Sequence, residues 1–281
     1  MDPNASSRAP ADRRAPPPLG PRHWPTWLGI GAMAALARIP WPMQRAIGRG
    51  LGALLRAHFA ALGTGLFEFG RAWWGSVDPM RRGLVVEGLE HVAAARASGR
   101  GVIVVSGHFT TLEICGRLMC DHVPLAGMYR PHAEAAMEWA VKRGRLRYAA
   151  AMFTKQELRP AVKHLKQGGV LWYAPDQDPS RGDTVYVPFF GRPANSLSST
   201  HQLARLSGAR VVAFQHARRE DGGYTLRILP VLDAIPSDDA VADTASVMAA
   251  IEGMARAAPD QYLWIHRRFK RQPDGSDPYG A

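Results

Sequence analysis

From Leu84 onward, short apolar runs alternate with stretches of helical periodicity. The clearest run is Val102 to Val105, four apolar residues, mostly β-branched, closed by Ser106–Gly107. A continuous run of that length suits a strand covered on both faces, as in a parallel sheet. The residues after it, with Thr110 or Thr111 as cap and Leu112, Ile114, Leu118 and Met119 as the buried stripe, predict a helix. The same reading gives strands at Leu84–Glu87, Pro124–Tyr129, Val170–Tyr173, Arg210–Phe214 and Gln261–His266, with Gly223–Leu229 alternating like a more exposed or edge strand. Helices are predicted over Leu89–Ser98, Ala133–Tyr148, Glu157–Gln167, Leu197–Leu206 and Thr244–Ala257. Val185–Gly191 reads as a loop with an apolar tip. Strands alternating with helices predict an α/β class: a single domain with a mixed, largely parallel sheet flanked by helices.

The first 62 residues follow another pattern. Residues 1–21 are proline-rich and basic, a composition that predicts disorder. Trp24 to Ala37 is apolar but shorter than the roughly 20 residues a spanning helix needs. In the next helix Arg45, Arg49 and Arg56 fall on one face and Ile47, Leu51, Leu54, Leu55 and Leu62 on the other. No Asp or Glu occurs from Arg13 to Phe67. Basic amphipathic helices headed by tryptophans predict a membrane-associated segment over 22–62, held at an anionic interface; packing of the same apolar face on the domain is the alternative. Residues 63–281 form the predicted catalytic domain.

Charge changes the picture of partners. The formal net charge is +11 with a pI of about 10.2, which points to anionic partners: phosphates, nucleic acid, an acidic protein or a bilayer surface. Two cysteines, Cys115 and Cys120, make neither a disulfide framework nor a zinc or redox motif.

Polar clusters fall at predicted strand ends: His108 with Glu113, Arg130, Asp176 with Asp178, and His266 to Lys270. In a parallel sheet those ends meet on one edge and form a basic cleft. An imidazole beside a carboxylate at a strand's mouth is a general-base arrangement, and the spacing predicts Glu113 in the first turn of the helix that follows His108. No G-x-S-x-G elbow or phosphate loop of the G-x-x-x-x-G-K type is present. His108, Glu113, Asp176 and Asp178 leave a metal site open, although H-E-x-x-H spacing is missing.

HFTTLE, YRP (Tyr129 to Pro131), GRLR (Gly144 to Arg147), WYAPDQD (Trp172 to Asp178), VPFFGRPA (Val187 to Ala194) and QYLWIHRRFK (Gln261 to Lys270) together resemble the Kdo-dependent lipid A late acyltransferases, the lauroyl/myristoyl acyltransferase family. The likeness runs in consistent order from about Arg22 to Tyr279. It implies a glycerolipid-acyltransferase-like fold and transfer of a fatty acyl chain from acyl carrier protein to a hydroxyl of an anionic glycolipid acceptor, a lipid A precursor. It further implies inner-membrane lipids as partners at the cytoplasmic face, with no metal, no cofactor and no nucleic acid. By that likeness His108 is the base and Glu113 its partner, and Arg130, Arg145, Asp176, Asp178 and Arg267 are substrate-binding candidates. Arg130 is expected to clamp a phosphate or stabilise the oxyanion, and the VPFFG tip to line an acyl groove or belong to the core. One departure is that Leu55 runs almost directly to Leu66, where relatives usually carry some thirty further residues. Acylation of another glycolipid, a non-catalytic basic protein binding membranes or nucleic acid, and a metal hydrolase are the competing readings.

Overall fold

The computed structural model describes residues 17–53 and 57–279. Its strands are β1 (Leu84–Glu87), β2 (Val102–Val105), β3 (Leu125–Tyr129), β4 (Ala151–Thr154), β5 (Val170–Tyr173), β6 (Thr184–Phe189), β7 (Arg192–Leu197), β8 (Arg210–Arg218) and β9 (Tyr224–Val231). Seven of them make one sheet in the order β1-β9-β8-β2-β5-β3-β4, while β6 and β7 form a separate hairpin. All neighbours in the large sheet are parallel except β8 and β9. Five strands therefore run one way, and their carboxyl ends share an edge.

The apolar run of β2 explains its central place. Val102 pairs with Val170 on one side and Arg210 on the other. Val102 and Val104 point into one core and Ile103 and Val105 into the other, so period-two alternation buries every side chain when both faces are covered. One face is covered by α3 (Ala57–Trp74), the short α4 (Asp78–Arg81), α5 (Leu89–Ala97), α6 (Leu112–Met119) and α7 (Ala135–Arg145). The opposite face is covered by α8 (Leu158–Lys166), α9 (Ser199–Ser207) and α10 (Ala240–Ala257).

Three elements differ from expectation. β9 is not an edge: it lies between β1 and β8, and its alternation buries Tyr224, Leu226 and Ile228 while the short β1 takes the margin. The VPFFG stretch is no loop but the turn of the β6–β7 hairpin. Phe189 pairs with Arg192, and Phe190 and Gly191 both take positive φ, 50° and 73°, the geometry of a tight two-residue hairpin turn. Gln261–His266 makes no strand; only Tyr262 bridges to Phe109. β4 and β7 are additional strands, in stretches that the sequence pattern leaves without an element.

At the N-terminus, α1 (Trp24–Leu36) matches the apolar segment. α2 (Trp41–Ala53) and α3 are the two halves of the expected amphipathic stretch. Leu54, Leu55 and Arg56, the side chain of Leu51, and residues 1–16 of the expected basic tail lie outside the described residues. α2 and α3 touch backbone to backbone: a Cβ on Gly63 would stand 2.7 Å from the Gly48 carbonyl oxygen, which only glycine permits. Among the described residues no helix is long and apolar enough to cross a membrane. α3 is also anchored in the domain, because the buried Glu68 carboxylate accepts hydrogen bonds from Arg218 (2.7 Å) and Tyr224 (2.5 Å).

Candidate active site

The adjacent strands β2, β5 and β3 deliver His108, Asp176 and Arg130 to the same edge of the sheet. Past β2 the chain turns at Gly107, and the His108 backbone N–H donates to Asp176 Oδ2 at 2.8 Å. The His108 ring Nδ1–H donates to Asp176 Oδ1 at 2.5 Å, and the Tyr262 hydroxyl donates to Oδ2 at 2.9 Å. Three donors thus converge on one buried carboxylate. Burial pushes the Asp176 pKa up, but the His108 charge, the two His108 bonds and the Tyr262 bond outweigh it and hold the group below its ordinary value. An ionised Asp176 fixes the proton of the neutral imidazole on Nδ1 and leaves the Nε2 lone pair free.

The 261–266 segment closes the other side. The Leu263 N–H donates to the His108 carbonyl at 2.9 Å, and the Thr110 N–H to the Gln261 carbonyl at 2.8 Å. A small cavity of about 30 Å³ opens there, lined by His108, Asp176, Tyr262, Trp264, His266 and Arg268 among others. Exposure distinguishes this histidine from a structural one. His201 also pairs with a carboxylate, Asp243, at 2.7 Å, yet its side chain is 8% exposed and it ties α9 to α10; His108 is 30% exposed and faces the cavity.

Glu113 is not the partner of that imidazole. It lies in the first turn of α6, as the spacing predicts, but turns toward α3 and α7. Its carboxylate accepts from Trp73 Nε1 (2.6 Å), Tyr148 Oη (2.8 Å) and Arg145 Nη2 (2.7 Å). With four donors satisfied by that pocket, nothing draws the side chain toward the imidazole. Burial raises its pKa, and Arg145, Trp73 and Tyr148 together reverse this, so the net shift is downward.

Arg145, expected to bind substrate, is the ion-pair partner of Glu113 and also stacks near the Tyr129 ring. The Asp178 side chain is buried and held by Arg271 and by Asn195 Nδ2 at 3.1 Å, so its carboxylate fixes the loop after β5. Arg267 is exposed and stands over the Tyr279 ring; its neighbours His266 and Arg268 are the ones in the cavity wall. Arg130 is exposed at the end of β3 and forms no ion pair among the described residues. The VPFFG tip is core: Val187 and Phe189 are buried under α10. Cys115 is sealed in the interior, where burial pushes its thiol far up, and Cys120 is pushed up to about 12. Neither is equipped as a nucleophile. Among the described residues no group of three metal-ligating side chains converges.

The match to the protein-family model for bacterial lipid A biosynthesis acyltransferases extends over residues 53–271. The chain belongs to that family. It is a lipid A late acyltransferase of lipopolysaccharide biosynthesis, as the motif resemblance implies. Membership implies an acyl donor and a lipid A precursor as substrates. Similar relatives include the lipid A biosynthesis lauroyltransferase of Escherichia coli strain K12, 36% identical over 92% of this chain and 95% of that protein. The palmitoleoyltransferase of the same strain is also 36% identical, over 92% and 94%. The lipid A biosynthesis myristoyltransferase is 22% identical over 92% and 91%. A solved 1-acyl-sn-glycerophosphate acyltransferase from Thermotoga maritima gives a TM-score of 0.42 at 15% identity, covering 82% of this chain and 97% of that one.

Sequence reasoning finds His108 and Asp176 separately but pairs His108 with the wrong acid. It also misses Tyr262 as a cavity residue and takes Arg267 from the His266 to Lys270 cluster where His266 and Arg268 line the cavity, because QYLWIH reads as a strand whose side chains alternate rather than as an irregular strap across the strand ends.

Proposed function

We propose that this lipid A acyltransferase moves a fatty acyl chain from acyl carrier protein to a hydroxyl of a lipid A precursor by general-base catalysis at His108, without a covalent intermediate. The observation that carries this reading is the His108–Asp176 contact, which engages Nδ1 of a ring that lines a cavity at the carboxyl edge of the sheet and so leaves Nε2 as the nitrogen for proton transfer. An acceptor hydroxyl is a weak nucleophile until its proton is taken as it adds to the thioester carbonyl; a positioned base contributes typically about 10²–10⁴-fold. Asp176 holds the ring and stabilises the imidazolium that forms, without taking the proton itself. The nearest alternative nucleophiles support the same reading. Ser106 is fully buried with its hydroxyl engaged by Trp172 Nε1 at 2.8 Å, and Cys115 is sealed away. Glu113 acts on this reading as a positioning residue: with Arg145 it pins the helix that begins four residues after His108.

The donor's carrier protein, the acceptor's phosphates and a bilayer's headgroups are all anionic, in keeping with the charge of +11. Arg130, exposed at the end of β3 and without an ion pair among the described residues, is suited to a substrate phosphate. The reaction is assigned to the cytoplasmic face of the inner membrane, with α1 to α3 lying in the interface. Trp24 and Leu28 on α1, Met43 and Ile47 on α2, and Phe59 and Leu66 on α3 are exposed apolar side chains. The residues before Phe59 and Leu66 tie α3 to the segments that flank the site: His58 bonds the Asp260 carbonyl at 3.0 Å and Gly65 abuts Thr110. Trp264, which lines the cavity, and its neighbour Ile265 are exposed apolar side chains as well.

The test is an assay of the purified chain with acyl carrier proteins bearing graded chains and a tetraacylated lipid A precursor, read by mass spectrometry. Lauroyl and palmitoleoyl donors are both included because the two relatives are equally similar. One added acyl group with the intact chain, and none with His108→Ala, is expected. Full activity of His108→Ala refutes the mechanism.

A further inference from the structure

The cavity holds a second imidazole that the base mechanism leaves unused. His266 Nε2 accepts the backbone N–H of Asp178 at 2.9 Å. A ring nitrogen that accepts carries no proton, so the single proton of this neutral ring is on Nδ1. Nδ1 has no hydrogen-bond partner among the described residues, yet it is not one of the sealed orphan polar atoms, so it opens onto accessible space. Its ring lines the same cavity as His108 and Asp176. Beside it is Arg268, whose Nη atoms bond the Asn195 carbonyl and Ser196 Oγ, both at 2.5 Å, while its buried Nε has no partner. No carboxylate pairs with Arg268 within salt-bridge distance among the described residues, so the cavity wall carries both its positive charge and the negative charge of Asp176. Burial keeps His266 below the ordinary histidine range, against the pull of the Asp176 carboxylate, and therefore neutral near pH 7.

We propose that His266 is a further catalytic residue of acyl transfer, its neutral Nδ1–H donating to the oxyanion of the tetrahedral intermediate. The proposal rests on His108 as the base. As the acceptor oxygen bonds to the thioester carbon, its proton passes to His108 Nε2 and the carbonyl π pair moves onto oxygen, where the His266 N–H meets it. Collapse restores the carbonyl, the C–S bond breaks with its pair on sulfur, and His108 returns the proton to the thiolate. A donor fixed in place before charge develops acts more strongly in a partly dry site than in water.

The two amides that imitate histidine separate this role from a structural one. Asparagine places an N–H where Nδ1 was, and glutamine places an acceptor where Nε2 was, keeping the Asp178 contact. The full chain carrying His266→Asn, His266→Gln or His266→Ala is assayed with acyl carrier protein thioester and tetraacylated acceptor, alongside thermal unfolding. Expected are a kcat loss of about 10²–10³-fold for Gln and Ala with little change in KM, and a loss at least tenfold smaller for Asn. Equal losses for Asn and Gln, or a Gln variant as active as the parent, overturn the proposal. His108→Ala in the same assay separates the two readings. An inactive His108→Ala with an active His266→Gln removes only the oxyanion role, whereas an active His108→Ala removes the base on which it rests.

Discussion

His108 meets Asp176, 68 residues further along the chain, rather than Glu113, five residues away; the ring nitrogen and carboxylate oxygen are 2.5 Å apart. The carboxylate comes from the neighbouring strand β5, and the same aspartate also binds the His108 backbone N–H, so ring and main chain are fixed by one group. Two parallel strands in register thus bring the residues beyond their ends together, which spacing within one helix does not.

Asp176→Asn tests the consequence. An amide retains the shape but offers its own N–H to a ring that needs an acceptor at Nδ1, so the wrong tautomer is favoured. A kcat loss of roughly 10³–10⁴-fold is expected, by analogy with the effect of the same change on a His–Asp pair in serine proteases. Tyr262→Phe removes only one of three donors to Asp176 and is expected to cost about 1 kcal/mol, no more than roughly tenfold in rate. Steady-state kinetics at saturating donor measure both. A Tyr262→Phe loss as large as that of Asp176→Asn would contradict the assignment of the aspartate as the orienting group.

Glu113 and Arg145 are a buried ion pair, 6% and 21% exposed at the side chain. Removing one partner strands the other, so Glu113→Ala is expected to lower unfolding free energy by about 3–5 kcal/mol. The double variant Glu113→Ala with Arg145→Met, which removes both charges, is expected to recover a large part of that loss. Urea titration of the two single variants and the double one gives the coupling; strictly additive losses would mean that the pair is not coupled in solution.

The contrast between these two carboxylates shows what the sequence carries. The β2 run, the helix after it and the alternation from Leu84 on are legible because strand and helix periods are properties of adjacent residues. That His108, Arg130 and Asp176 share one edge is legible as well, since parallel strands leave little choice, whereas His266 reaches that edge on a strap and not on a strand. Which acid meets which base is not, because it depends on side-chain direction. Glu113 is turned toward Trp73 and Arg145 by partners on two other helices, 40 residues before it and 32 after it. The hairpin at Phe190–Gly191 was hidden for a related reason. Its turn places a phenylalanine at positive φ, where Asn or Asp is the usual signal; in the fold, Glu252 Oε2 accepts the Phe190 N–H at 2.5 Å.

Gly144, within the GRLR motif, lies against the Trp73 ring, and a Cβ there would stand 2.5 Å from the indole. Gly144→Ala therefore has to displace the ring that donates to Glu113. A destabilisation of about 1–3 kcal/mol is expected from overpacking, despite the higher helix propensity of alanine. Thermal unfolding reads it, and a raised melting temperature would show that Trp73 gives way without cost.

The acid limit of stability has an identifiable source in His216. It is buried on β8 among Phe109, Trp172 and Phe214, its Nδ1 meets Thr111 Oγ1 at 3.0 Å, and its Nε2 is sealed without a partner. Burial lowers its pKa from 6.5 to about 3. The sign follows from proton uptake: between those values the unfolded chain binds a proton that the folded chain refuses. The neutral ring's contribution is thus fully present above pH 6.5 and is lost as pH falls toward about 3. Within that window the slope approaches about 1.4 kcal/mol per pH unit, or about 2 kcal/mol between pH 7 and pH 5. His216→Phe keeps the aromatic packing and removes the titration, at the cost of the Thr111 hydroxyl's bond to the ring, a loss that does not depend on pH over the range where the ring is neutral. Urea unfolding at pH 7 and pH 5 is therefore expected to show the parent losing about 2 kcal/mol more than the variant. An identical loss in both would place the protonation elsewhere and show that the His216 pocket admits water.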